Sequence, residues 1–82
     1  MSLYGISKFL FAFNTNGMVR NDFRSNPAAT LAAYDLDESE RQALAALDFK
    51  WLYAAGVHPL QLTALANGSG VPIPRYLEAI RG

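Results

Sequence analysis

Cysteine is absent from the 82 residues, which excludes disulfides and thiolate zinc sites. Histidine occurs once, as His58, and aspartate only four times. A conventional metal triad would therefore need an unusual arrangement or donors from a second chain. An excess of either charge is missing too, since seven basic residues balance seven acidic ones. Nucleic-acid affinity draws on a surplus of Lys and Arg that releases counterions, so this neutrality argues against such a partner. No apolar run is long enough to span a membrane. The apolar opening from Met1 to Phe13 is interrupted by Lys8, lacks a basic leader, and is followed by Asn14-Thr15-Asn16, a poor cleavage site. It is expected to belong to the mature fold, in the cytoplasm or an equivalent reducing compartment. No stretch shows sustained alternation with β-branched residues, which argues against a sheet.

What is present is an apolar half of the chain, 51% of residues, arranged at helical spacing between frequent start and stop signals. Ser2 can cap a helix to about Phe13, ended by Asn14, Asn16 and Gly17. Leu3, Ile6, Phe9, Leu10 and Phe13 share one face of it, the expected core stripe. Tyr4 and Phe11, seven residues apart, lie on the opposite side with Lys8. Either this helix is buried all round or its second face meets another chain, and the second arrangement suits a domain this small, which buries only about 60–65% of its unfolded surface.

A second helix is predicted from about Met18 to Arg24, with Val19 and Phe23 at i,i+4. Asn26-Pro27 restarts the chain with proline at the first helical position, followed by the helix formers Ala28 to Ala33 with Leu31 and Tyr34. Asp37 and Glu40 fit the acidic variant of the capping box, and the helix continues with Leu44 and Leu47 on one side. Asp48 either caps a further helix through Phe49, Trp51, Leu52 and Tyr53 or lies within one longer helix; Gly56 stops it in both cases. His58-Pro59 opens a helix with Leu60, Leu62 and Leu65, closed by Gly68 or Gly70. Pro72-Ile73-Pro74 is expected to be extended, and Arg75 to Arg81 to form the last helix with Leu77 and Ile80 inward. The expected fold is all-α, a compact orthogonal bundle of five to seven short helices over residues 1–82.

Few residues suggest chemistry. His58 stands at a helix start, where a neutral imidazole is favoured and can bind a carboxylate or phenol; the simpler reading is a capping or surface histidine. Glu38 and Glu40 are two apart and do not share a helix face, so no paired carboxylate site is expected. Asp35, Asp37, Glu38, Glu40 and Asp48 surround Arg41 as an acidic middle, read as a solvated surface. Phe49, Trp51 and Tyr53 could line an aromatic pocket and are read as core. Gly68 and Gly70 have no following Lys-Ser or Lys-Thr and no preceding strand, so they are helix stops and not a phosphate loop.

The run Phe23-Arg24-Ser25-Asn26-Pro27-Ala28-Ala29, then Leu31 and Tyr34 to Leu44, resembles the alpha (small) subunit family of protocatechuate 4,5-dioxygenase, the LigA-type domain. Asp48-Phe49-Lys50-Trp51-Leu52, Gly56-Val57-His58-Pro59-Leu60, Gly70-Val71-Pro72, Tyr76-Leu77 and Arg81-Gly82 are similar as well. The resemblance covers roughly residues 9–82. It implies a non-catalytic helical accessory chain that packs on a larger beta subunit. That subunit carries the non-haem iron and opens catechol-type rings with dioxygen, and the small chain covers and shapes the mouth of its site. No cofactor is then expected in this chain, and Tyr4, Phe11 and His58 are the candidates for contact with the large subunit or, in its absence, with a second copy.

Two other classes remain open from the residues alone. The Asn-Pro, acidic-turn and alanine-rich pattern is similar to helical recognition modules gripped by enzymes that modify ribosomally made peptides. Leu65-Ala66, Gly70-Val71, Tyr76, Ile80 and Gly82 resemble a helix-turn-helix DNA-binding unit, although Pro72 and Pro74 fall where base-reading and phosphate-binding groups are needed.

Overall fold

Asn16, Asn26, Asp37 and Asp48 each begin a helix as the capping chemistry of short polar side chains dictates, whereas Leu3 precedes the first helix without a side-chain cap. The computed structural model describes residues 3–81, so the expected cap at Ser2 lies outside the described residues. Within them the order is α1 (Tyr4–Thr15), α2 (Gly17–Ser25), α3 (Pro27–Leu31), α4 (Glu38–Ala45), α5 (Phe49–Ala55), α6 (Pro59–Gly68) and α7 (Ile73–Arg81). Asn16 accepts from the Met18 N–H at 2.9 Å, Asn26 from the Ala29 N–H at 3.2 Å, and Asp48 from the Trp51 N–H at 3.1 Å. Each satisfies a donor that the first turn leaves without an intrahelical partner. Asp37 and Glu40 form the reciprocal capping box, with bonds of 2.8 and 2.9 Å. An all-α bundle results, with no strand among the described residues and no helix long and apolar enough to cross a membrane.

Three helices end in the same way. The N–H of Asp48 bonds to the Ala43 carbonyl at 2.8 Å while that of Leu47 bonds to Leu44 at 3.2 Å; Val57 and Gly56 repeat this on Leu52 and Tyr53, and Val71 and Gly70 on Ala66 and Asn67. This is the Schellman pattern, which needs a left-handed residue just past the helix. Gly56 and Gly70 supply it at φ 107 and 80, and at the first site it is Leu47, at φ 55. The chain thus breaks before Asp48, and α4 and α5 are separate helices. Leu47 consequently leaves the α4 stripe that the sequence assigned to it.

One core joins the helices. The rings of Phe9, Phe13 and Phe23 meet with centroids 5.2 to 5.8 Å apart, and Tyr34 stands edge-on to Phe9 at 5.4 Å. A second aromatic pair, Phe49 and Tyr76, packs edge-to-face at 5.2 Å and ties α7 to α5. Two polar contacts brace the ends of α1 and α6: the Arg20 guanidinium donates to the Phe13 and Asn14 carbonyls at 2.8 and 3.2 Å, and the Tyr76 hydroxyl donates to the Pro59 carbonyl at 3.5 Å.

Several expectations are corrected. The last helix begins at Ile73, not Arg75, because Pro74 falls in the first turn, where its missing N–H would have had no partner anyway. Tyr76, at 3% exposure, takes the inward place expected of Leu77, which is 43% exposed. Leu60 is 74% exposed: Leu62, Leu65 and Ala66 define the buried face of α6, and a residue two before Leu62 cannot share it. Tyr53 is half exposed and Trp51 partly buried, leaving Phe49 as the one of that trio in the core. Glu40 is buried within the acidic middle, whereas Asp35, Asp37, Glu38 and Asp48 are exposed as expected.

Candidate partner-contact surface

The sequence of α1 leaves its two faces with different fates. Ile6, Phe9, Leu10 and Phe13 are fully enclosed, while Tyr4 and Phe11 are 63% and 70% exposed. The helix is therefore apolar on two sides but buried on one. Tyr4 and Phe11 are separated by about 10 Å along the axis, and Lys8 stands between them with its Nζ 5.4 Å from the Tyr4 ring centroid. Such a cation over an aromatic face contributes about 0.5–1 kcal/mol at an exposed site. The result is an outward stripe of ring, cation and ring.

His58 caps α6. Its Nδ1 accepts the Leu60 N–H at 3.0 Å, which requires that nitrogen to be unprotonated and leaves the neutral ring's hydrogen on Nε2. The imidazole is exposed. The turn that carries it lies beside the start of α1, since a Cβ on Gly56 would stand 3.3 Å from Leu3 Cδ1. Of the three residues singled out from the sequence, His58 and Tyr4 therefore sit on adjoining segments, and Phe11 lies two turns farther along α1. Sequence reasoning missed Met18 and Leu60, which are 73% and 74% exposed; the spacing of the α6 leucines held the signal for Leu60.

Among the described residues, no three His, Cys, Asp or Glu side chains gather as a metal ion requires, and the one imidazole uses Nδ1 as a helix cap. Among the described residues, the side-chain atoms Glu40 Oε2 and Ser69 Oγ are buried without a hydrogen-bond partner. Glu40 already uses Oε1 to hold the Asp37 N–H, so its carboxylate serves the start of α4.

These features define a class: a small all-helical protein with aromatic side chains on an outer helix face and no gathered metal-donor set among its described residues. A family model for the aromatic-ring-opening dioxygenase LigAB, LigA subunit, matches residues 6–82. The chain belongs to the LigA family. Comparison with curated proteins finds no match, and neither does comparison with solved structures.

Proposed function

We propose that this chain is a non-catalytic small subunit or accessory domain of an extradiol aromatic ring-opening dioxygenase, capping or shaping the active site of a larger iron-bearing subunit. The observation that carries the reading is the outer face of α1, where Tyr4 and Phe11 expose aromatic surface on the helix side away from the core, in a chain whose family is named as one subunit of a two-part enzyme. The iron belongs to the larger subunit and would supply dioxygen activation there. The residues of this chain contribute shape: the aromatic stripe of α1 packs on the partner, and His58 presents its Nε2–H beside it. Excluding water from the mouth of a site strengthens the electrostatic interactions within. In the partner's absence the same face joins copies of the chain.

Co-expression with an extradiol large subunit encoded beside it tests the reading. The expected result is co-elution of the two chains and faster ring opening of a catechol than by the large subunit alone. Separate elution with equal turnover would sink it, as would stoichiometric iron and ring cleavage in the isolated chain.

A further inference from the structure

Asp22 occupies the last turn of α2, where the aligned peptide dipoles leave partial negative charge and an acid is unfavourable. Its helical neighbours three and four positions away, Met18, Val19, Ser25 and Asn26, carry no positive charge. Arg24 is two positions on and lies on a different face, and Arg20 is committed to the end of α1. Asp22 makes no ion pair or side-chain hydrogen bond within the described residues.

Beside it, between α2 and α3, runs an open groove of about 450 Å³. Val19, Ala29 and Ala33 give it apolar walls, the hydroxyls of Ser25 and Tyr34 add polar groups, and the exposed Asp22 is the only charged side chain lining it among the described residues. The neighbouring groove between α3 and α4 differs in just this respect. There the Arg41 Nε stands 3.7 Å from Glu38 Oε2, and both residues line the same cleft, so its charges answer each other. Where α2 meets α3, no described residue supplies an answering cation.

We propose that the groove between α2 and α3 receives a basic side chain, a lysine or arginine, from a protein that packs against this chain. The methylenes lie along Val19, Ala29 and Ala33, and the cationic head reaches the Asp22 carboxylate. Long basic side chains cover apolar surface with their stems while keeping the head at a wet, charged rim, and a lone rim charge of this kind steers the encounter and selects register. The placement of an acid against its own helix dipole is then offset when a partner supplies the cation. Only the identity of the protein that brings this side chain rests on the subunit reading above.

The test is a nuclear magnetic resonance titration of the full chain at low salt with n-butylguanidinium, n-butylammonium and, as opposite-charge control, butyrate. Amide shifts confined to residues 19–33, larger with both cations than with butyrate at equal ionic strength, are expected. Asp22→Asn should weaken them about threefold or more, the range of an exposed ion pair, while leaving helicity unchanged or raised. Ala33→Leu, which fills the groove and keeps the carboxylate, should weaken them as well. Shifts that butyrate matches, that fall elsewhere, or that survive both substitutions would overturn the proposal. Because the small cations need no large subunit, failure here leaves the co-elution result untouched, and failure of co-elution leaves the groove's chemistry in place.

Discussion

Gly68, the last residue of α6, lies against the ring of Phe13: a Cβ placed on Gly68 would stand 2.6 Å from the Phe13 Cζ and 3.2 Å from the Arg20 Cδ. The ring cannot give way easily, because Phe13 is fully buried and packed on both Phe9 and Phe23. The close passage of α1 and α6, and with it the orientation of the outer α1 face, depends on the missing methyl group.

Gly68→Ala should therefore destabilise the fold by about 1–3 kcal/mol, the usual result of overpacking a close-packed core. Helix propensity alone would give the opposite sign, about 0.8–1 kcal/mol of stabilisation for glycine to alanine. Denaturant unfolding of the two proteins decides between them, and a midpoint that rises would show that the Phe13 ring repacks freely.

Leu47 sits at φ 55 as the left-handed residue of the α4 cap, a conformation that costs an L-residue roughly 1–2 kcal/mol relative to glycine. Leu47→Ala loses the packing of a half-buried side chain and keeps the strain; Leu47→Gly loses the same packing and relieves it. The glycine variant should be the more stable of the two by about 1 kcal/mol. Equal unfolding midpoints would mean that the break before Asp48 is not held by this cap.

His58 acts on α6 through the bond from the Leu60 N–H to Nδ1. His58→Ala should cost about 1 kcal/mol of stability, as loss of an N-cap does, and His58→Asn should restore most of it. If the ring also touches the large subunit, the asparagine variant will match the wild type in thermal unfolding and still bind that subunit less tightly. Recovery of both properties in His58→Asn would confine the residue to capping.

The aromatic stripe of α1 gives the corresponding test at the other contact. Changing Tyr4 and Phe11 together to serine removes exposed side chains and leaves Ile6, Phe9, Leu10 and Phe13 in place. Circular dichroism should report nearly unchanged helicity, while association with the large subunit, or between copies, falls at least tenfold, the scale of two aromatic anchors lost from an interface. Sedimentation velocity across a dilution series measures it. Unchanged mass distributions for wild type and double variant would remove this face from the interface.

Capping side chains and helix spacing made much of this architecture readable in advance. Asp37 and Glu40 marked the start of α4, Asn26-Pro27 that of α3, and the α1 stripe of Ile6, Phe9, Leu10 and Phe13 was legible because a surface helix repeats its apolar side at its own period. The same periodicity set Tyr4 and Phe11 on the side opposite that stripe, and the packing of the bundle left that side exposed. The family resemblance was carried by those turn and cap positions, and the match over residues 6–82 follows it.

The sequence by itself determined where the helices beginning at Pro27, Glu38 and Pro59 start, and that no disulfide or thiolate zinc site can form, because these are set by local hydrogen bonding and by residue type. Tertiary structure decided what depends on neighbours distant in the chain. Tyr76 and not Leu77 fills the space beside Phe49, since the position of α5 fixes which face of α7 is covered. Asp22 became notable only when α3 formed a groove beside it in which no other described residue carries a charge.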